Sequence, residues 1–166
     1  MTKSDESLSR QLTPGERERL QVLMRTALSE LEHLQQTDQR LFAQEWTVET
    51  LTEKMRDIDF AERVDAFVAR FGRLQDLLWD KYLPAWMKAM QEAPGAVLEN
   101  LDRAEKLGLI SSADQWLAVR KLRNLMVHEY LDRMDTLHMA LTKAHEQIPM
   151  LAHATQRWVE RSQSLL

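Results

Sequence analysis

The sequence predicts an all-α fold, an up-and-down antiparallel bundle of four long helices with short extra ones. Three observations predict it. Leu, Ala, Glu, Gln, Arg and Met dominate, and all are good helix formers. Apolar residues recur at three-and-four spacing in segment after segment, and no run alternates as a strand would. Only four glycines and four prolines interrupt the 166 residues, so few turns are signalled. Length makes the chain one domain by prior, large enough to bury a real core. Residues 1–12 are expected to form a flexible leader and residues 13–166 the helical domain.

The elements follow in order. Thr13, Pro14 and Glu16 write a helix start: Thr as N-cap, Pro at the first helical position, Glu closing a capping box. The helix carries Leu20, Leu23, Met24, Ala27, Leu28, Leu31 and Leu34 as one inward stripe and is expected to run to about Asp38 or a little beyond. Leu41, Phe42 and Trp46 fall in or near a connection. Thr47 caps a short helix to about Met55. Asp59 precedes a long helix, FAERVDAFVARFGRLQDLLWDKYL. Its apolar side is Phe60, Val64, Phe67, Val68, Phe71, Leu74, Leu78 and Tyr82. Gly72 in its middle costs roughly 1 kcal/mol against Ala, which a close approach by another helix would explain. Pro84 should end or kink this helix, with 85–90 continuing after the bend. Pro94 opens a shorter helix, and Gly108 serves as its C′ glycine.

Ser112 and Gln115 form the next capping box. The last helix starts near Asp132 or Asp135 and reaches Ser162, bent at Pro149. Met134, Leu137, Leu141, Ala144, Ile148, Leu151, Thr155 and Trp158 face inward. The short link before it makes the two final helices neighbours.

Composition bounds the function. Charged residues make up 29% and hydrophobic ones 44%, ordinary for a soluble globular protein. Cysteine is absent, which excludes disulfides, thiol nucleophiles and thiolate metal sites and suits a cytoplasmic setting. No apolar run approaches the roughly 20 residues of a membrane span, and the N-terminus lacks a signal-peptide core. The formal net charge of -4 argues against broad nucleic-acid binding, yet leaves room for a small basic site. Arg120, Lys121 and Arg123 make such a cluster.

That cluster lies on the helix opened by Ser112. Arg120, Arg123 and Tyr130 fall on one strip, and Asn124 and His128 stack on the next, at about 100° per residue. The run RNLMVHEY, Arg123 to His128 to Tyr130 with polar Asn124 after the arginine, resembles the HEPN superfamily and within it the HepT-like toxins. That resemblance implies a helical homodimer and a metal-independent endoribonuclease without a cofactor, acting on RNA. It also implies a minimal nucleotidyltransferase antitoxin as partner, which silences the toxin by adding AMP to Tyr130.

The residue chemistry agrees with such an activity. Histidine, with a reference pKa of about 6.5, suits a base that takes the 2′-hydroxyl proton. Arginine stays charged and its planar fork holds phosphate oxygens as charge develops. Arg123 and His128 are therefore the candidate catalytic pair, with Asn124 and Arg120 in support. Products would be a 2′,3′-cyclic phosphate and a 5′-hydroxyl. The two sit about 140° apart around their helix, not an ideal pair within one helix. A twofold dimer joining two copies of the helix would assemble a composite cleft.

Blander readings stand beside this one. Trp116 could stack on a base but fits the core better. His138 and His145 share a face of the last helix, where a solvated surface is a better reading than a metal site. The Glu16 to Arg19 run reads as a solvated first turn. A non-catalytic subunit that binds the nucleotidyltransferase, or a plain helical interaction protein, would also fit the pattern.

Overall fold

The computed structural model describes residues 11–128 and 133–166, and among them there is no strand. The helices are α1 (Pro14–Leu41), α2 (Val48–Lys54), α3 (Ile58–Asp76), a π-helical segment (Leu77–Tyr82), α4 (Leu83–Ala89), α5 (Val97–Lys106), α6 (Ala113–His128) and α7 (Met134–Gln163). The all-α bundle expected from the apolar spacing is what the chain forms. The expected leader falls mostly on residues 1–10, outside the described residues, as does Tyr130.

Four elements close into a ring: α1 packs on α3, α3 on α6, α6 on α7, and α7 back on α1. Side-chain pairings give the directions. Arg70 of α3 reaches His33 and Thr37 of α1, while Arg73 reaches back to Glu30. Asp38 meets His145 at one end of the α1–α7 pair, and Arg17 meets the Leu166 carbonyl at the other. Gly72 lies under Arg123, and Asp80 faces Arg120. As numbers rise on one helix they fall on its neighbour, so these pairs run antiparallel.

The helix ends follow local chemistry. Thr13 accepts from the Glu16 amide at 3.2 Å, and its own amide donates to the Glu16 carboxylate at 3.0 Å. Thr47 caps α2 in the same way through Thr50. α3 is capped by Asp57, two residues before the expected Asp59, through a 3.0 Å bond from the Asp59 amide. α5 starts at Val97 rather than at Pro94, because the Asn100 side chain ties both backbone groups of Gly95 into a turn ahead of it. Gly108 takes φ +69°, and the Gly108 and Leu109 amides bond back to the Glu105 and Ala104 carbonyls. This is the double-bonded C-cap that favours glycine.

Two prolines sit inside helical stretches. The Leu83 amide bonds to the Leu78 carbonyl, five residues back, so the π turn closes just before Pro84 and the chain goes on as α4. A proline ring crowds the carbonyl four residues earlier, and the wider turn relieves that crowding. α7 runs through Pro149 without interruption.

The core is a continuous cluster drawn from all these helices. The expected stripes are buried, with three exceptions: Leu28 is 42% exposed, and Val68 and Met134 are half-buried. At the centre Trp116 of α6 stacks on Trp158 of α7, ring centroids 5.5 Å apart and 8° from parallel. The Trp158 indole donates to the Leu109 carbonyl at 2.9 Å. Tyr82 meets the Ser162 hydroxyl at 2.8 Å within the core, and burial pushes its phenol up to about 12. These contacts lock α6 against α7 and the π segment, which fixes how α6 faces α3.

Candidate functional site: a groove between α3 and α6

α6 begins where Ser112 accepts from the Gln115 amide at 3.2 Å. The expected box is only half made: the Gln115 side chain donates to Gln147 of α7 at 3.1 Å instead of turning back. Leu122 and Met126 are buried, while Leu117 and Leu125 are half-buried. Trp116, 1% exposed, belongs to the core and offers no face to a base.

With its apolar side fixed, α6 turns its polar side toward α3. There the two helices enclose an open groove of about 630 Å³. α3 contributes Asp65, Gly72, Arg73 and Asp76, and α6 contributes Arg123 and His128. Val68, Ala69 and Met126 supply apolar wall. The groove thus brings the two expected catalytic residues to one place within a single chain. Their separation around the helix axis is bridged by the breadth of the groove and the length of the arginine.

Arg123 is half-buried and its guanidinium is held from two sides. One terminal nitrogen donates to Asp76 at 3.4 Å, and the other donates to the Asn124 side chain at 3.2 Å. Its Nε is buried and has no acceptor among the described residues. Asn124 therefore serves the arginine, and no bond joins it to the His128 ring among the described residues. His128 is exposed and makes no hydrogen bond or ion pair with a described residue. Beside it Val127 is 48% exposed.

Arg120 shares the strip with Arg123 but has a different role. It donates to Asp76 at 2.6 Å, lies 3.6 Å from Asp80, and sits 4.8 Å from the centre of the Trp79 ring. Such a stacked, doubly paired arginine is a strut between α6 and the π segment. Asp76 is thereby shared, one oxygen taken by each arginine.

Sequence reasoning missed the α3 half of this site. Asp76 and Asp80, four apart on one helix face, were the available signal, and they face the very arginines singled out on α6. Gly72 was singled out for a close approach, and the approaching group is the Arg123 side chain: a Cβ there would lie 3.5 Å from its Nε.

His138 and His145, read as part of a solvated face, are only partly exposed and are bonded across the fold. His145 Nδ1 meets the Asp38 carboxylate at 2.7 Å, and its ring stacks on Phe42 with centroids 4.1 Å apart. His138 Nε2 meets the Trp46 carbonyl at 2.9 Å. Both fasten the α1–α2 connection onto α7. Burial pushes the Asp38 carboxyl above its ordinary range, and the His145 bond pulls it partly back.

No family model matches the chain, and no curated protein or solved structure matches it either. Among the described residues no helix is long and apolar enough to cross a membrane.

Proposed function

We propose that the chain is a HepT-like endoribonuclease toxin of the cytoplasm, acting as a homodimer on RNA and neutralised by a minimal nucleotidyltransferase antitoxin. The observation that carries this reading is the shared groove: Arg123 and His128 line it together. His128 removes the proton of a ribose 2′-hydroxyl, and that oxygen attacks the adjacent phosphorus. Arg123 stabilises the charge that develops on the phosphoryl oxygens. The bond to the 5′-oxygen breaks and that oxygen takes a proton from water, leaving a 2′,3′-cyclic phosphate and a 5′-hydroxyl. A second copy packed beside Val127 would narrow the groove around the strand. Tyr130, two residues past His128, is the AMP acceptor in this scheme.

One observation favours a second reading. Arg120 and Arg123 are already paired with Asp76 and Asp80, and the groove lining sets Asp65 and Asp76 against Arg73 and Arg123, as much negative as positive charge. A subunit that binds the nucleotidyltransferase without cutting RNA would tolerate that balance. Incubating the purified chain with a mixed RNA pool in chelator separates the two. Cleavage leaving cyclic-phosphate ends supports the toxin. Intact RNA, with a stable nucleotidyltransferase complex, supports the binding subunit and overturns the nuclease.

A further inference from the structure

The floor of the groove beneath Arg123 carries more than a catalytic assignment requires. Three observations meet there. Gly72 is a buried glycine in the middle of α3, where alanine would be the better helix former. The position its missing Cβ would take touches only Arg123 side-chain atoms, at 3.5 and 3.6 Å, so nothing in the packing excludes a methyl group. The Arg123 Nε directly above is a buried donor with no acceptor among the described residues. A buried N–H left unpaired weighs against folding, and a helix glycine does too. The fold bears both costs at one point, on the wall of an open groove.

We propose that Gly72 is a binding determinant: the notch it leaves under Arg123 receives one oxygen of a phosphoryl group, which accepts from Nε and from a terminal nitrogen of the same guanidinium. Arginine presents these two donors side by side, and this edge is how it forks an oxyanion. Asp76 does not block the exchange. It grips Arg123 at 3.4 Å and Arg120 at 2.6 Å, so a phosphoryl oxygen displaces the looser contact while Asp76 stays anchored on Arg120. This inference deepens the proposed reading of the groove and rests on it only for the identity of the ligand as an RNA phosphodiester.

The test follows the Arg123 Nε–H signal of the full-length, 15N-labelled chain by NMR, assigned by its loss in Arg123→Lys. Inorganic phosphate and a mixed-sequence 2′-O-methyl oligoribonucleotide are titrated separately. The expected result is a saturable shift of that signal. Saturation at lower concentration by the oligonucleotide assigns the backbone diester, and by phosphate a free phosphoryl ligand. Gly72→Ala should melt no lower than the parent chain yet bind the tighter ligand about tenfold more weakly, with the Nε–H signal no longer moving. An Nε–H signal that neither ligand moves would overturn the proposal, and so would undiminished binding by Gly72→Ala. A signal that moves in a chain that cuts no RNA keeps the notch and removes the nuclease reading.

Discussion

Two parts of the molecule carry histidines near an acidic residue, and the fold treats them in opposite ways. On the α1–α7 side, His145 gives one ring nitrogen to Asp38 and one ring face to Phe42, and His138 binds the Trp46 carbonyl. On the α3–α6 side, Asp76 is taken by two arginines, and His128 stands exposed without a bond to any described residue. The first arrangement spends its histidines on holding a connection. The second satisfies its carboxylate with guanidinium and leaves imidazole open to whatever enters the groove. Proximity of histidine to carboxylate is therefore not the informative feature; which group the carboxylate neutralises is.

The largest expected effect breaks the groove side. Arg123→Ala should slow RNA cleavage at least ~100-fold, the scale of losing a donor to developing negative charge, and denaturant unfolding should show that the fold persists. A cleaving Arg123→Ala chain would remove the groove from the chemistry.

The next effect concerns the core behind both sides. The Tyr82 phenol is pushed up to about 12 by burial, so between pH 10 and 12 the native chain holds a proton that the unfolded chain has lost. Stability falls as pH rises through that window, by roughly 2 kcal/mol at its upper end. Tyr82→Phe should flatten this slope relative to the parent in urea unfolding at stepped pH. An unchanged slope would show that the phenol does not control it.

A smaller effect sharpens the α1–α7 side. His145→Ala leaves the buried Asp38 without its partner and should lower stability by about 1–3 kcal/mol near neutral pH. The Asp38 carboxyl already lies above its ordinary range through burial. Below that raised pKa the native carboxyl is protonated and no longer asks for a cation, so the deficit should shrink as pH falls. A deficit that is the same in acid and at neutrality would mean the histidine acts through packing on Phe42 alone.

The smallest effect is at the rim. Asn124→Ala removes one bond to the Arg123 guanidinium and should weaken cleavage roughly tenfold or less while leaving stability within about 0.5 kcal/mol. A loss as large as that of Arg123→Ala would instead give Asn124 direct contact with substrate.

Much of this fold was legible in the chain because apolar spacing and caps act locally. The Leu20 to Leu34 stripe, the Thr13 box and the Gly108 C-cap all depend on residues within a few positions of one another. Pro84 was harder to read, since a proline signals a lost donor but not whether the backbone stops or widens into a π turn. The site was half legible. Arg123, Asn124 and His128 stood out through their spacing on one helix, whereas Asp76 and Gly72 lie about fifty positions earlier and meet them only through the α3–α6 crossing. The same non-local limit hid the partners of His138 and His145, since Trp46 lies in the α1–α2 connection and Asp38 on α1. Their seven-residue spacing indicates a shared face without saying what covers it.

The measurement that bears most directly on the whole account pairs two readouts on His128→Ala and His145→Ala: the single-turnover rate of RNA cleavage in chelator, and the midpoint of thermal unfolding. The account predicts that His128→Ala loses cleavage by ~100-fold or more with its melting unchanged, while His145→Ala melts lower and cuts at the parent rate. Equal cleavage by His128→Ala and the parent chain would contradict it.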